Sequence, residues 1–406
     1  MKWKNPLLLL LGIGVSNVGA WVYLIALNLI ILDMTGSPLA LSILYILSPV
    51  AALCTNFWAG TFIDRLNTRK LMIFLDIIRG ILIFILPFLD SLSLIYSIVF
   101  IINIANSIFE PTSMVYMTKL IPKTDRQRFN AIRNFINSCG FILGPSIAGF
   151  LFIIGSPNLA ILLNSFALFF SAMIILFLPN VEDKKIDSLE EKVNLTLILN
   201  DGRKILSFSK TNVYVTLVYL LFTGISVFMT ALDSLEAAFA TEVLSLSEGT
   251  YGFLVSIAGV GIIGGSLVNT IFAKQLKINV LMGLGAFFTP IGYLFFAFSN
   301  DFLWASIGFF VLTFSLSFAN TGFLTFYQNN VPVDIMGRFS SVMGILEAFF
   351  IIIFTALIGV SAELIEIRPV YTIGSLLFLL LGVIINFVIA DKSNRKLYVS
   401  TSLNTD

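Results

Sequence analysis

The chain of 406 residues is 58% hydrophobic and 12% charged, with a net charge of +1, 40 Phe and a mean hydropathy of +0.97. A soluble domain of this length needs far more polar surface, which excludes an ordinary globular enzyme. Histidine is absent, which excludes His-based zinc and general-base chemistry and leaves carboxylates for any proton handling, and no GxxxxGK[ST] loop offers a Walker-type ATP site.

Apolar runs of about 20 residues, the length a helix needs to cross a bilayer core of about 30 Å, recur along the chain. The alternating pattern of a membrane β-barrel is absent. The first run, opening "MKWKNPLLLLLGIG", stays apolar through Leu32. It is too long for the core of a signal peptide, lacks a small-residue cleavage site, and is read as a retained helix. Twelve spans are predicted, near 7–32, 38–62, 70–89, 93–118, 130–154, 158–179, 212–240, 250–272, 278–298, 301–327, 338–361 and 369–390. Between the sixth and seventh the chain turns charged, and "LTLILNDGRKILSF" within it is predicted to be amphipathic. The expected organisation is an all-α integral membrane protein: a six-helix half over 1–180, a linker over 181–211, a second half over 212–390 and a tail over 391–406. Cys54 and Cys139 fall inside apolar runs and read as small buried hydrophobes rather than a disulfide or metal pair.

Lysine and arginine set the orientation. Twenty-one of the 24 fall at the N-terminus, in the even-to-odd loops or in the tail, against one, Arg368, in the odd-to-even loops. Both termini and the linker are therefore expected on the cytoplasmic side of the cell membrane. The chain also repeats. "IPKTDRQRF", Ile121 to Phe129, and "VPVDIMGRF", Val331 to Phe339, share a β-branched residue, Pro and Arg-Phe at an offset of 210. The same offset lays span one on span seven, which predicts two homologous halves in parallel orientation.

Charge concentrates in "GTFIDRLNTRK", between spans two and three. Aligned by eye, its counterpart in the second half has no acid: Ala273-Lys274 stands where the first half has Asp64-Arg65. This loop, with twelve spans in two halves, resembles the major facilitator superfamily, whose signature there is roughly G-x-L-a-D-r-x-G-r-[KR]. Gly60, Asp64, Arg65, Arg69 and Lys70 match it; Phe62 and Asn67 depart, and Asn67 is expected to tolerate a positive φ in place of glycine. "GFILGPSIAG", Gly140 to Gly149, looks like the span-five motif of exporters, and "VPVDIMGRF" with "FLDIIRG", Phe74 to Gly80, resembles the macrolide-efflux-like branch of bacterial permeases.

The resemblance implies that Gly60, Asp64, Arg65, Arg69 and Lys70, with Asp76, Arg79, Arg128 and Arg338, belong to a conformational switch that latches the halves when the protein opens outward. It implies that spans one, four, seven and ten line a cavity and that spans five and eight meet across the halves. Gly140, Gly144, Pro145 and Gly149, facing the glycines of span eight, would form that contact.

Ionisable groups inside a bilayer are costly and are functional candidates by default. Asp76 and Arg79, three apart on one helix face, are expected to neutralise each other. Arg133 is expected to snorkel to the cytoplasm. For substrate and proton coupling the candidates are Glu110, beside Pro111 on span four, Asp233 and Glu236 near the outer end of span seven, and Glu347 on span eleven. Glu110 leads: it has no basic neighbour one turn away on its own helix, and the offset places Asn320, not an acid, at the matching position.

The reading is a secondary transporter, not an enzyme, that exports amphipathic small molecules by alternating access in antiport with protons. Its partners are a small-molecule substrate, protons and the lipid bilayer; no nucleic acid, cofactor or metal is implied, and the chain is expected to act as a monomer. A lipid, siderophore or other metabolite transporter on the same scaffold, or a membrane sensor, are the alternatives.

Overall fold

A computed structural model of the chain describes residues 3–56, 66–121, 126–181, 205–272 and 275–398. Among these, twelve helices are long and apolar enough to cross a membrane: α1 (Lys4–Thr35), α2 (Pro38–Asn56), α3 (Thr68–Ile85), α4 (Leu92–Leu120), α5 (Arg126–Ile154), α6 (Pro157–Leu176), α7 (Val213–Asp233), α8 (Glu248–Ile271), α9 (Ile278–Ala297), α10 (Phe302–Asn330), α11 (Val333–Leu364) and α12 (Ile367–Ile389). They are sheathed in apolar side chains, as lipid contact requires: Phe166, Phe177 and Phe387 are all more than half exposed. Cys54 shares that outward placement, on α2, so it is not the buried hydrophobe its apolar run suggested; neither cysteine forms a disulfide.

The offset of 210 runs through the whole architecture. α2 and α8 begin at 38 and 248, α3 and α9 at 68 and 278, α4 and α10 at 92 and 302, and α6 and α12 at 157 and 367. α4 and α10 have 29 residues each. They also stop in the same way. Ile121 and Val331 leave the helix with φ/ψ of −97°/120° and −103°/123°, each sending its N–H to the carbonyl four residues back, Met117 or Tyr327. Proline follows in both, at 122 and 332, and a residue ahead of proline is driven to this extended conformation. The Phe that closes each repeat, Phe129 or Phe339, is buried, as are Ile121 and Val331.

Two compact units result, 1–191 with 246–256, and 192–245 with 257–406. In the first, Leu9, Leu10, Met72, Tyr116, Phe129 and Ile175 form one core. The second is more aromatic. Tyr219 meets Phe323, Tyr327 and Phe339 at ring separations of 5.1–5.4 Å, and Phe239, Phe296 and Tyr371 form another cluster.

The span expected over 212–240 is not one helix. α7 ends at Asp233, a single turn covers Glu236–Ala238, and Phe239–Val243 winds as a wide π turn. Such turns cluster at functional positions. Glu242 sits in it, its carboxyl held above the usual range by burial first and by Glu363 second. Arg368 braces the same region, lying 5.4 Å over the Phe239 ring and donating to the Asn300 side chain and the Ser299 carbonyl.

Candidate functional site

Each unit holds a polar cavity. In the first unit a cavity of about 210 Å³ is lined from α1 by Ser16 and Asn17, from α4 by Glu110 and Ser113, and from α5 by Arg133 and Asn137. Pro111 does not interrupt α4; around it the Thr112 and Ser113 hydroxyls donate to the carbonyls of Ile108 and Glu110 at 2.6 and 2.8 Å. Asn17 donates to the carbonyl and side-chain oxygens of Asn137 at 3.2 and 3.3 Å. Arg133, expected to snorkel, lines this cavity, and its Nε and the Ser16 Oγ are buried without a hydrogen-bond partner among the described residues. Glu110 is exposed at the same cavity and forms no ion pair within 4 Å among the described residues.

In the second unit a cavity of about 310 Å³ is lined by Tyr219, Phe222, Ser226, Asp233, Asn320 and Glu347, among others. Asp233 accepts a 2.6 Å hydrogen bond from the Tyr293 hydroxyl, and the Ser226 hydroxyl stands beside Glu347. Among the described residues no basic side chain lines this space. Glu236, grouped with Asp233 by sequence, lies in the turn beyond α7 and is not among the lining residues.

The two cavities occupy equivalent places. At the offset of 210, Ser16 pairs with Ser226, Glu110 with Asn320, Ser113 with Phe323 and Asn137 with Glu347, and all eight residues line their own unit's cavity. The acid has changed helix between the copies: it is on α4 in the first unit and on α11 in the second. Arg133, meanwhile, has Met343 as its counterpart.

Asp76 and Arg79 do pair, as their spacing predicts, and are buried. Arg79 also donates to Asn106 and lies 4.2 Å over the Phe109 ring, while Ser171 donates to Asp76 at 2.8 Å. These contacts hold α3 to α4 and α6 beside the first cavity, which Phe109 and Ser171 help to line. The second unit has Ala286 and Thr289 in place of the pair.

Of the loop signature, Gly60, Asp64 and Arg65 lie outside the described residues, as do the side chains of Arg128 and Arg338 in α5 and α11. Lys70 is exposed. Arg69 donates to the Ile175 and Leu176 carbonyls, so it caps the C-terminal end of α6, where a cation meets unpaired carbonyls and the negative end of the helix dipole. Asn67 does not take the positive φ expected of a glycine substitute. Its φ is −65°, and its side chain caps α3 by accepting from the Lys70 N–H.

The glycine face of α5 divides. Gly140 and Gly144 lie against Asn17 and Trp21 of α1, within the first half. Of the four named residues, Pro145 and Gly149 reach the start of α8: a methyl on Gly149 would stand 2.7 Å from the Gly249 carbonyl oxygen, and one on Gly252 2.9 Å from that of Pro145. Further along α8, Gly261 and Gly265 pack against α10 instead, because the helix turns that face to Phe310 and Phe314.

Twelve membrane-length helices in two repeats, each enclosing a polar cavity, define a membrane transporter. The sequence profile of the Major Facilitator Superfamily matches residues 9–355, and the chain belongs to that family. It is similar to the uncharacterized MFS-type transporter YfiS of Bacillus subtilis (strain 168), 22% identical over 399 residues that cover 94% of this chain and 92% of the relative. Solved structures share the fold. The nucleoside transporter NupG aligns with a TM-score of 0.75 at 14% identity, covering 97% of this chain and 100% of that one. A bacterial homologue of the human lysosomal transporter Spinster, facing inward and unoccupied, aligns with a TM-score of 0.70 at 15% identity and 98% coverage of each. The protein is a multi-pass membrane transporter.

Proposed function

We propose that this transporter exports amphipathic small molecules across the cytoplasmic membrane in exchange for protons, with both termini in the cytoplasm. The observation that carries the coupling is the second unit's cavity. Asp233 and Glu347 face one space with no cation among the described residues that line it, so a proton or a cationic group taken up there offsets their charge. Two ligands that compete for one set of carboxylates are obligately linked, as exchange requires. Tyr219, Phe222 and Phe323 make the rest of the wall aromatic, which suits loose recognition of apolar bodies. This moves the coupling site from Glu110, which is exposed and shares its cavity with Arg133, to Asp233 and Glu347. The export direction rests on "GFILGPSIAG" and the orientation on the lysine and arginine bias.

Uphill uptake of ethidium and erythromycin into inverted vesicles, with and without a pH gradient, tests the reading. Asp233→Asn and Glu347→Gln are expected to abolish gradient-driven movement while passive exchange persists. Unchanged uphill transport with an unchanged pH profile in both unit-two variants removes the coupling role. For orientation, Lys192→Cys in a background without Cys54 and Cys139 should resist impermeant thiol reagents outside intact cells; ready labelling reverses the topology.

A further inference from the structure

The first unit's cavity holds one cationic and one anionic group that do not pair with each other. Arg133 presents a guanidinium whose Nε is buried without an acceptor among the described residues, and the Ser16 hydroxyl is buried beside the same space in the same condition. Buried donors are almost always satisfied, and a guanidinium only donates, so this group is matched to an incoming anion. Glu110 lines the same cavity and makes no ion pair within 4 Å among the described residues. Neutral polar groups, Asn17, Ser113, Asn137 and Ser171, complete the polar part of the wall, and Leu9, Ile13, Met72, Phe109 and Ile175 supply an apolar part.

A purely anionic ligand would meet Arg133 but be repelled by Glu110, and a purely cationic one the reverse; only a head group carrying both charges offsets both. The volume sets the size. At about 210 Å³ the space is smaller than the 300–1,000 Å³ of pockets that enclose whole drug-sized molecules. It accommodates an amino-acid-sized head, with an apolar remainder left against the aliphatic and aromatic wall.

We infer that the first unit's cavity is a subsite for a zwitterionic head group, its carboxylate or equivalent anion on Arg133 and its ammonium toward Glu110. The substrate class is then zwitterionic amphiphiles, a refinement that rests on the transporter reading above. The equivalent position in the second unit cannot duplicate it, since Met343 replaces Arg133 and Asn320 replaces Glu110.

The test needs no ion gradient, so its failure and the failure of proton coupling are separate results. Three compounds are titrated calorimetrically into the purified full chain in nanodiscs: Nε-octanoyl-lysine, which carries both charges; its methyl ester, which keeps the ammonium; and its Nα-acetyl derivative, which keeps the carboxylate. The doubly charged compound is expected to bind at least about tenfold tighter than either of the others, about 1.4 kcal/mol. Arg133→Gln should erase its advantage over the ester but not over the acetyl derivative, Arg133→Lys should retain part of it, and Glu110→Gln should do the converse. Equal binding of the three compounds by the unmodified protein, no binding of the doubly charged one, or an unchanged ester ratio in Arg133→Gln overturns the assignment. Should Arg133→Gln fail to fold, the three-compound comparison on the unmodified protein still decides.

Discussion

The two cavities sit at matching places in two copies of one helical repeat, yet they carry different charge. In the first unit the charges are balanced: Asp76 and Arg79 pair in the protein interior, and Glu110 and Arg133 share a cavity. In the second, Asp233 and Glu347 face a cavity with no cation among the described residues of its wall, and a tyrosine hydroxyl is the partner of Asp233. Duplication supplied the frame, and substitution on it gave one half a fixed internal charge balance and the other a net charge that ligands must offset. The contrast separates charges that hold a unit together from charges that await a cargo.

Stability offers the hardest blow to that contrast. Asp76→Ala leaves Arg79 buried with its main counter-charge gone, a change that costs about 3–5 kcal/mol. Asp233→Asn keeps an acceptor for Tyr293 and is expected to cost less than about 1 kcal/mol. Denaturant melts of the purified variants measure both. Equal losses would mean that the charges of the two units play the same part.

Glycine substitutions give a middle-sized effect. Gly149→Leu forces a side chain into a site where even its Cβ stands 2.7 Å from the Gly249 carbonyl oxygen, and an overpacked contact of this kind costs about 1–3 kcal/mol. Gly344 in α11 has nothing within 4 Å of an added Cβ, so Gly344→Ala should stabilise by about 0.5–1 kcal/mol through helix propensity. Thermal melts that rank the two in the opposite order would contradict the packing described for α5.

The smallest expected effect belongs to Glu242. Burial and Glu363 raise its carboxyl above the usual range, so the ionised form disfavours the folded state once the pH exceeds that raised value. Glu242 is largely exposed and solvent screens the effect, so Glu242→Gln should gain less than about 0.5 kcal/mol at pH 8, and the gain should vanish well below about pH 4, where the group is protonated in both states. A gain that grows on acidification has the wrong sign for this account.

Much of the fold was legible because it rests on local rules. Ile121 and Val331 each precede proline and end matching helices, so a nine-residue similarity carried the register of the whole repeat. Asp76 and Arg79 were legible because their spacing alone puts them on one helix face. The place of Arg133 in the cavity was not, because α1 and α4 supply the rest of that wall and no periodicity within α5 records them. The division of the α5 glycine face was hidden for the same reason: three glycines on one helix do not say which neighbour each will meet. That Asp233 and Glu347 share a cavity was hidden too, since they lie on α7 and α11 and no periodicity within either helix records it.

The Asp76–Arg79 pair also bears on how the protein enters its membrane. Each charge alone, at the centre of a nascent helix, costs roughly 2.5–3.5 kcal/mol on insertion. Because the partners lie three residues apart on α3, the contact is available before α4 or α6 has arrived, and the segment can leave the translocon already neutralised. Placing the two residues on separate helices would keep the finished interior the same but leave each helix to cross the bilayer carrying an unmatched charge.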